Sequence, residues 1–505
     1  MNDRSTATTE QISRPQPEAE GRKALPAGRQ RIALPSLHLT ISERRLLLLL
    51  VDVLVLNLAL LVALALRFGY TFSWATIFEA PIYFIFLTIV WLPWASFFDC
   101  YDLARSADAS QAAWATGRAA LLTALTYLAI PVYTPHLPAS RLSAYLFSGL
   151  AVASVPVWRA LYALLFSQPT FQQNVLIVGA GASGSELARA LVSTPEHGNP
   201  YAGSGYRAVG FVDDDPAKAG GEIAGLPVLG NRYDLCRLVR ELKVDLIAVA
   251  ITHTPDIHPA LFQALLDCRE QSVSLEPMTG LYERLTGRIP VEHAARNLYV
   301  VLPVSDSATQ RIFWAVKRLI DLTSAVAGLG LLALVALPVV VSNAIWSPGP
   351  LLYWQERIGK GGQHFRLVKL RTMVPDAEEA KGAVWAAEND ERVTPVGRFL
   401  RRTRLDELPQ SWNVLRGEMS LVGPRPERPE FVSELVEKVP FYQARHAVRP
   451  GITGWAQVRY GYGSSVEDAL IKLQYDLYYI KHQNLYLEMS ILVKTAAVML
   501  GFRGR

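Results

Sequence analysis

Two adjacent carboxylates, Asp406 and Glu407, follow a run of arginines in the segment 398–423. Charges on a solvated helix face usually alternate in sign, whereas here a basic block precedes the acids. Guanidinium groups attract a diphosphate, and they also favour the ionised form of Asp406. Glu407 is then placed to hold a divalent metal ion. The alternative is a capped surface helix with four incidental arginines, Arg398, Arg401, Arg402 and Arg404.

The same segment predicts a helix that begins near Asp406 and ends near Arg416. Asp406 suits an N-cap, Pro409 is tolerated in the first turn, and Gly417 suits a C-cap. A helix N-terminus carries a partial positive charge, so it adds to the field that favours an ionised carboxylate and an anionic ligand. We therefore expect both carboxylates to face one anion site.

Four further motifs flank this segment and share turn residues with basic side chains. They are SPGP at 347–350, QERIG at 355–359, KLRTM at 369–373 and RPGITGWAQV at 449–458, while SLVGPRP at 420–426 closes the central segment. In this order the motifs resemble the bacterial sugar transferases called polyprenyl-phosphate hexose-1-phosphate transferases, or monotopic phosphoglycosyl transferases. The resemblance covers about 317–505, and more loosely the whole chain in the large form of the family. Arg404 and the run 427–430 resemble the branch associated with exopolysaccharide export.

The resemblance implies transfer of a sugar-1-phosphate from a UDP-sugar to undecaprenyl phosphate with release of UMP, which initiates exopolysaccharide or related glycan synthesis. Asp406 would attack the sugar-proximal phosphorus and form a phosphosugar-aspartate intermediate, and Glu407 would bind Mg²⁺. The expected substrate-binding residues are basic, and they lie at positions that match the family's phosphate-binding residues or on a basic strand nearby: Lys369, Arg371, Arg401 and Arg425. Membrane lipids are expected partners and nucleic acid is not. The hexose and the choice between monomer and homodimer stay open.

The composition indicates a membrane protein with soluble parts. The chain has 505 residues, of which 50% are hydrophobic and 19% charged, and its mean hydropathy is +0.18. This length is enough for about three domains. Its three cysteines have no metal-binding or redox spacing, which favours a reducing compartment.

Residues 1–45 predict a disordered cytoplasmic tail, because they are rich in Pro, Gly, Glu and Arg. Four apolar runs within 46–168 predict four transmembrane helices, at about 46–66, 77–98, 119–133 and 143–166. The third run is shortened by prolines, so a buried core helix is its alternative. Basic residues before the first span favour a cytoplasmic N-terminus, in a bacterial inner membrane protein whose catalytic domain faces the cytoplasm. Asp52 in the first span either pairs with another helix or lies in an interfacial turn.

A glycine-rich turn follows a predicted buried strand at 174–178 and opens a helical stretch, which is the context of a dinucleotide-binding motif. Its glycines, Gly179, Gly181 and Gly184, are candidate cofactor-binding residues. Further short strands at 208–212, 246–250 and 272–275 predict a Rossmann-like α/β domain over 169–305. The expected acidic residue about twenty positions later is absent, and the cluster 213–215 comes later still. A scaffold that has lost its ligand is therefore the alternative.

This domain raises a rival hypothesis, a membrane-anchored NAD-dependent nucleotide-sugar dehydratase or epimerase. Such enzymes need a Tyr-x-x-x-Lys pair for proton transfer, and none occurs between 167 and 305. A third hypothesis is a non-catalytic scaffold of polysaccharide assembly.

The remaining 306–505 predict an α/β catalytic domain with a membrane-inserted helix. The apolar segment 319–346 would be about 42 Å long as a straight helix, enough to span a bilayer. A fifth span would move the arginine-rich site outside the cell, so we expect a re-entrant helix broken at Pro338, as the resemblance implies. Lys317 and Arg318 would anchor it at the headgroups. The segments 465–481 and 486–502 predict amphipathic helices in the membrane interface, with core helices as the alternative.

Overall fold

The computed structural model describes most of the chain beyond residue 40. The described residues are 41–68, 81–102, 105–106, 108–130, 141–166, 173–192, 206–251, 257–293, 308–374, 392–461, 463 and 465–500. Residues 1–40 of the predicted tail and the C-terminal part of the third predicted span lie outside them. The last five residues of the predicted tail, 41–45, are helical, so that part of the prediction is wrong.

Four helices near the N-terminus pack around a common apolar core, which includes Leu60, Trp91, Tyr127 and Phe147. The helices are α1 (Ile41–Phe68), α2 (Pro81–Phe97), α3 (Ala109–Leu128) and α4 (Arg141–Phe166). The third begins ten residues earlier than predicted, because the Asp108 side chain accepts hydrogen bonds from the backbone N–H groups at the start of the helix.

A buried ion pair joins the first and fourth helices. The Arg159 guanidinium donates to both carboxylate oxygens of Asp52, and both side chains are fully buried. Of the two alternatives for Asp52, pairing with another helix is therefore confirmed. Because a buried charge is costly unless it is paired, this contact fixes the register of the two helices.

Three of the described helices are long and apolar enough to cross a membrane. The qualifying stretches are Arg44–Leu66, Tyr145–Leu164 and Gln310–Trp346. The helix Pro81–Phe97 is apolar but shorter. The chain is therefore a membrane-associated protein.

The middle of the chain forms a Rossmann-like domain around a six-stranded sheet with the order β3-β4-β2-β1-β5-β6. All neighbours are parallel except β3 and β4. The strands are β1 (Gln173–Val178), β2 (Tyr206–Val212), β3 (Glu222–Ile223), β4 (Leu226–Gly230), β5 (Leu246–Val249) and β6 (Ser274–Pro277). The helices are α5 (Ala182–Val192), α6 (Leu235–Glu241), α7 (Pro259–Glu270) and α8 (Met278–Thr286). The prediction of a Rossmann-like α/β domain and its four strands is confirmed.

The C-terminal domain begins with one long helix, α9 (Ala308–Trp346), which continues through Pro338, so the predicted break at Pro338 is wrong. Two small pairs of strands follow. In the antiparallel pair β7 (Leu352–Ile358) lies beside β8 (His364–Leu370), and in the parallel pair β9 (Ser420–Val422) lies beside β10 (Gly451–Thr453). The helices are α10 (Pro395–Thr403), α11 (Gln410–Arg416), α12 (Pro429–Lys438), α13 (Trp455–Arg459), α14 (Val466–Lys481) and α15 (Leu485–Leu500).

Helix α14 is a core helix, so the prediction of an interfacial helix at 465–481 is wrong. Its residues Leu473, Leu477 and Tyr479 are almost completely buried in the core of the C-terminal domain. Helix α15 also places Ile491 in this core, but it exposes Leu485 and Tyr486. Amphipathic periodicity shows that one face is apolar, and it does not say whether lipid or protein covers that face.

The segment after α8 connects the two α/β domains. It is packed against the C-terminal domain, so it is not a free linker. Ile289 and Val291 lie in the core of the C-terminal domain. The backbone N–H of Ile289 donates to the Gln474 carbonyl of α14 at 3.1 Å, and the Trp455 indole donates to the Gly287 carbonyl at 3.0 Å. The C-terminal core therefore starts before residue 306.

Candidate active site

Asp406 and Glu407 lie in one short 3-10 turn, Leu405–Glu407, between α10 and α11. Helix α10 ends because Arg404 takes a left-handed conformation with a φ of 59°, which reverses the chain before the two acids. The predicted continuous helix from Asp406 to Arg416 is therefore wrong at its start, since α11 begins at Gln410. Its predicted end is confirmed, because Gly417 terminates it with a φ of 83°.

Glu407 is the anionic centre of a group of three cations. Its Oε1 atom lies 3.3 Å from Arg404 Nη1, 3.4 Å from Arg425 Nη2 and 3.9 Å from Lys369 Nζ. Burial alone would raise the pKa of Glu407, but the charges of Arg425, Lys369 and Arg404 outweigh it and lower the pKa. Glu407 is thus held ionised by groups from three separate segments.

Lys369 reaches Glu407 from β8, and burial disfavours the charged form of its side chain. Burial lowers the pKa of Lys369 to about 8, although the Glu407 charge opposes that shift. Two of the predicted substrate-binding residues, Lys369 and Arg425, therefore meet at the predicted metal ligand. Arg404 was not among the predicted site residues. Its place in the basic block before the acids was the sequence signal that could have indicated it.

Asp406 is buried, and its Oδ1 atom has no hydrogen-bond partner among the described residues. Burial and the neighbouring Glu407 raise the pKa of Asp406 to about 6, against the charges of Lys369, Arg401 and Arg404. The arginines favour the ionised form of Asp406, as expected, but desolvation and the Glu407 charge outweigh them, so the net shift of the pKa is upward. A carboxylate oxygen without a partner is free to act as a nucleophile or a ligand.

The other two predicted substrate-binding residues lie on the segments beside the acids. Arg401 is on α10, and its Nε donates to Thr372 Oγ1 at 2.9 Å. Arg371 follows β8, and its guanidinium donates to the carbonyls of Pro350 and Met373 and to Asn343 Oδ1. These contacts tie the end of α9 to β8. The substrate-binding role of Arg371 stays a prediction.

The helix α9 is held against this domain at both of its ends. Lys317 is buried and donates to the Val422 carbonyl at 3.0 Å and to Glu488 at 2.7 Å. Arg318 donates to two carbonyls at the end of α11. The prediction that these two residues anchor at lipid headgroups is therefore wrong. Near its other end, Asn343 accepts from Arg371.

The glycine-rich turn forms in its predicted place, between β1 and α5. Gly179 has a φ of +101°, and a Cβ at Gly184 would collide with the Gly179 carbonyl. The Ala180 N–H donates to Asp213 Oδ2 at 2.6 Å. Asp213 follows β2, where dinucleotide-binding folds place an acid, but its carboxylate braces the turn itself and contacts Lys218. Ligand binding by Gly179, Gly181 and Gly184 stays a prediction.

A second titratable cluster lies beside this turn, and its atoms are close enough to one another to hold a metal ion. It contains Glu186, Glu292 and His293. His293 contacts Glu186 at 2.5 Å and Ser183 at 3.1 Å. The hydrogen bond to Glu186 raises the pKa of His293. The contact between Glu186 and His293 links α5 to the segment joining the domains.

Two family models match separate parts of the chain. The model described as bacterial sugar transferase matches residues 312–502, which contain the acidic pair. The model described as CoA-binding domain matches residues 96–266.

Several curated proteins are similar to this chain. The UDP-N-acetylgalactosamine-undecaprenyl-phosphate N-acetylgalactosaminephosphotransferase of Aeromonas hydrophila is 41% identical over 48% of this chain, which spans only 56% of that protein. The UDP-glucose:undecaprenyl-phosphate glucose-1-phosphate transferase of Xanthomonas campestris is 32% identical over 69% of this chain and 71% of that protein. The UDP-galactose-lipid carrier transferase of Erwinia amylovora is 30% identical over 70% of this chain and 73% of that protein.

Proposed function

Because the chain belongs to the bacterial sugar transferase family, we propose that it transfers a sugar-1-phosphate from a UDP-sugar to undecaprenyl phosphate and releases UMP. This step would initiate the synthesis of an exopolysaccharide or a related glycan. The observation that carries the proposal is Asp406, a buried carboxylate whose Oδ1 has no partner among the described residues and which lies beside several cations.

In the proposed reaction Asp406 is the nucleophile. Its Oδ1 forms a bond to the sugar-proximal phosphorus of the donor while the bond from that phosphorus to the bridging oxygen breaks, and UMP leaves with the electron pair. A phosphate oxygen of the lipid then attacks the same phosphorus and restores the Asp406 carboxylate. Lys369, Arg404 and Arg425 lie where they can stabilise the charge of the diphosphate and of the departing UMP.

The donor set at the site fits a Mg²⁺ ion. Asp406 Oδ1 has no hydrogen-bond partner among the described residues, and the three cation contacts of Glu407 all use Oε1. Carboxylate oxygens are the ligands that Mg²⁺ prefers. We propose Glu407 as its ligand, and the bound ion would supply charge neutralisation at the diphosphate.

We further propose an inner membrane protein with four N-terminal spans and a re-entrant α9, whose catalytic domain faces the cytoplasm. Contacts of Lys317 and Asn343 with one domain support this topology, because both ends of α9 then lie on one side. Its exposed apolar side chains, such as Leu334 and Leu337, suit lipid contact. Single cysteines at residues 310 and 348 should both react with an impermeant maleimide from the cytoplasmic side only. Labelling of the two from opposite sides would establish a span.

The experiment that tests the function is UMP release from a panel of UDP-sugars by the detergent-purified protein with Mg²⁺ and undecaprenyl phosphate. We expect release with at least one donor, and loss of at least about a thousandfold in Asp406→Asn, since an amide is a poor nucleophile. Glu434→Gln is the matched control, because Glu434 is an exposed acid paired with Lys438. A labelled sugar phosphate should remain on the native protein after quenching without lipid. Full activity of Asp406→Asn would exclude the covalent mechanism.

A further inference from the structure

Arg425 lies in a turn that cannot hold its own shape by ordinary backbone pairing. Its neighbours Pro424 and Pro426 have no backbone N–H to donate. Four successive carbonyls of the turn are instead satisfied from outside it. Their donors are the Gly451 N–H to Pro424, the Arg445 guanidinium to Arg425, the Arg357 guanidinium to Pro426 and the Ile358 N–H to Glu427.

The bond to the Arg425 carbonyl comes from the most buried of these side-chain donors. Arg445 is 7% exposed, and its Nη2 atom lies 3.0 Å from the Arg425 carbonyl and 2.8 Å from Asp476 Oδ2. Its Nη1 donates to the Tyr442 hydroxyl at 2.6 Å. One rigid guanidinium thus connects the turn to α14, which carries Asp476 in the domain core.

The Arg425 side chain meets Glu407 at 3.4 Å, with 40% of its surface exposed. Because this side chain is partly exposed, its own packing is not all that fixes it. Its position therefore depends on the backbone from which it starts, and the carbonyl held by Arg445 belongs to that backbone.

We propose that Arg445, with its buried counter-ion Asp476, is a positioning residue that places the Arg425 guanidinium beside the acidic pair. The inference rests on the proposed function, in which Arg425 binds the donor diphosphate. Arg445 does not touch the substrate; it acts through the backbone of Arg425. A lysine at 445 keeps the charge but has one nitrogen on a flexible stem, so it cannot hold the carbonyl, the carboxylate and the hydroxyl in one plane.

A double-mutant cycle tests the proposal in the full-length protein. The kcat/KM for the UDP-sugar is measured in the native protein, Arg445→Lys, Arg425→Ala and the double variant. We expect Arg445→Lys to lower kcat/KM by about tenfold or more, as for a lost hydrogen bond to a charged group, chiefly through a higher KM. In the Arg425→Ala background the same change should lower kcat/KM less than about twofold, because the residue that it positions is gone.

Two further variants separate positioning from folding. Asp476→Asn should show the same dependence on Arg425, and Arg416→Lys, on an exposed arginine, should leave kcat/KM and the unfolding temperature unchanged. If the losses in kcat/KM caused by Arg445→Lys and by Arg425→Ala multiply in the double variant, the proposal is overturned. An unchanged kcat/KM in a folded Arg445→Lys would overturn it as well. If Arg445→Lys does not fold, the cycle with Asp476→Asn decides. Absence of UMP release from the native protein would instead overturn the proposed function.

Discussion

Neighbouring residues in one turn carry opposite pKa shifts at this site. The pKa of Asp406 is raised to about 6, whereas that of Glu407 is lowered. The difference arises because the cations contact Glu407, while Asp406 is buried with one oxygen that has no partner among the described residues. In the proposed reaction this separation gives two similar groups different tasks: Glu407 stays ionised, and Asp406 is the reactive carboxylate.

The two acids should therefore respond differently to the metal ion. In the proposed metal site Glu407→Gln would remove a charged ligand, so we expect the Mg²⁺ concentration for half-maximal UMP release to rise by about tenfold or more, with activity partly recovered at high Mg²⁺. Asp406→Asn should stay inactive at every Mg²⁺ concentration. Titration of UMP release with Mg²⁺ after treatment with a chelator measures both. An unchanged Mg²⁺ requirement in Glu407→Gln would show that this residue is no metal ligand.

The identity of the acidic pair could be predicted from sequence, but its electrostatics could not. Asp406 and Glu407 are adjacent, and a motif shows them directly. Their pKa shifts depend on burial and on Lys369 and Arg425, which are brought in from distant positions by β8 and the turn after β9. Arg445 had no local signal either, because its partners Arg425 and Asp476 are 20 and 31 residues away.

At the scale of elements, α9 supports the active site because it packs directly on the helix that follows the acidic pair. A Cβ at Gly328 would overlap with Ser411 of α11, whereas Gly330 faces open space within the described structure. The two glycines lie on the same helix only two residues apart. They therefore separate the effect of packing from the effect of helix propensity.

We expect Gly328→Leu to push α9 away from α11, with a loss of about 1–3 kcal/mol of stability and a clear loss of UMP release. Gly330→Leu should retain the native activity and unfolding temperature, since its side chain enters no packed contact. Thermal unfolding and UMP release of the two variants in the same detergent measure the difference. Equal behaviour of both variants would mean that α9 does not rest on α11.

The boundaries of the elements could be predicted where a local sequence signal marks them. The predictions failed where tertiary contacts determine the structure. The Gly417 C-cap was predicted correctly, because glycine favours the left-handed conformation. Arg404 also takes this conformation between α10 and the acidic turn, but an arginine gives no sequence signal for it. Helix α14 was misplaced because its tyrosines resemble an interfacial belt. In the structure the Tyr479 hydroxyl donates to Glu488 at 2.6 Å and lies 3.1 Å from the Val422 carbonyl, so its polar tip is satisfied inside the protein.

At the scale of the whole molecule, the Rossmann-like domain and the catalytic domain share a structural segment. Glu283 at the end of the Rossmann-like domain is 5% exposed and contacts Lys481 and His482 of the catalytic domain at 2.8 and 3.0 Å. Ile289 then enters the catalytic core. Sequence could predict the two folds from their motifs, but not this junction, since an apolar residue in a connecting segment does not reveal which core it joins.

The junction predicts that a substitution after α8 acts on the distant catalytic domain. Ile289→Ala removes a fully buried side chain from the catalytic core, at a cost of about 2–5 kcal/mol. We therefore expect faster hydrogen–deuterium exchange in α14 and lower UMP release. Ile247→Ala, an equally buried change in β5, should instead raise exchange in the six-stranded sheet and leave α14 protected. Because the two variants lose the same atoms, exchange confined to the Rossmann-like domain in both would show that Ile289 does not support the catalytic core.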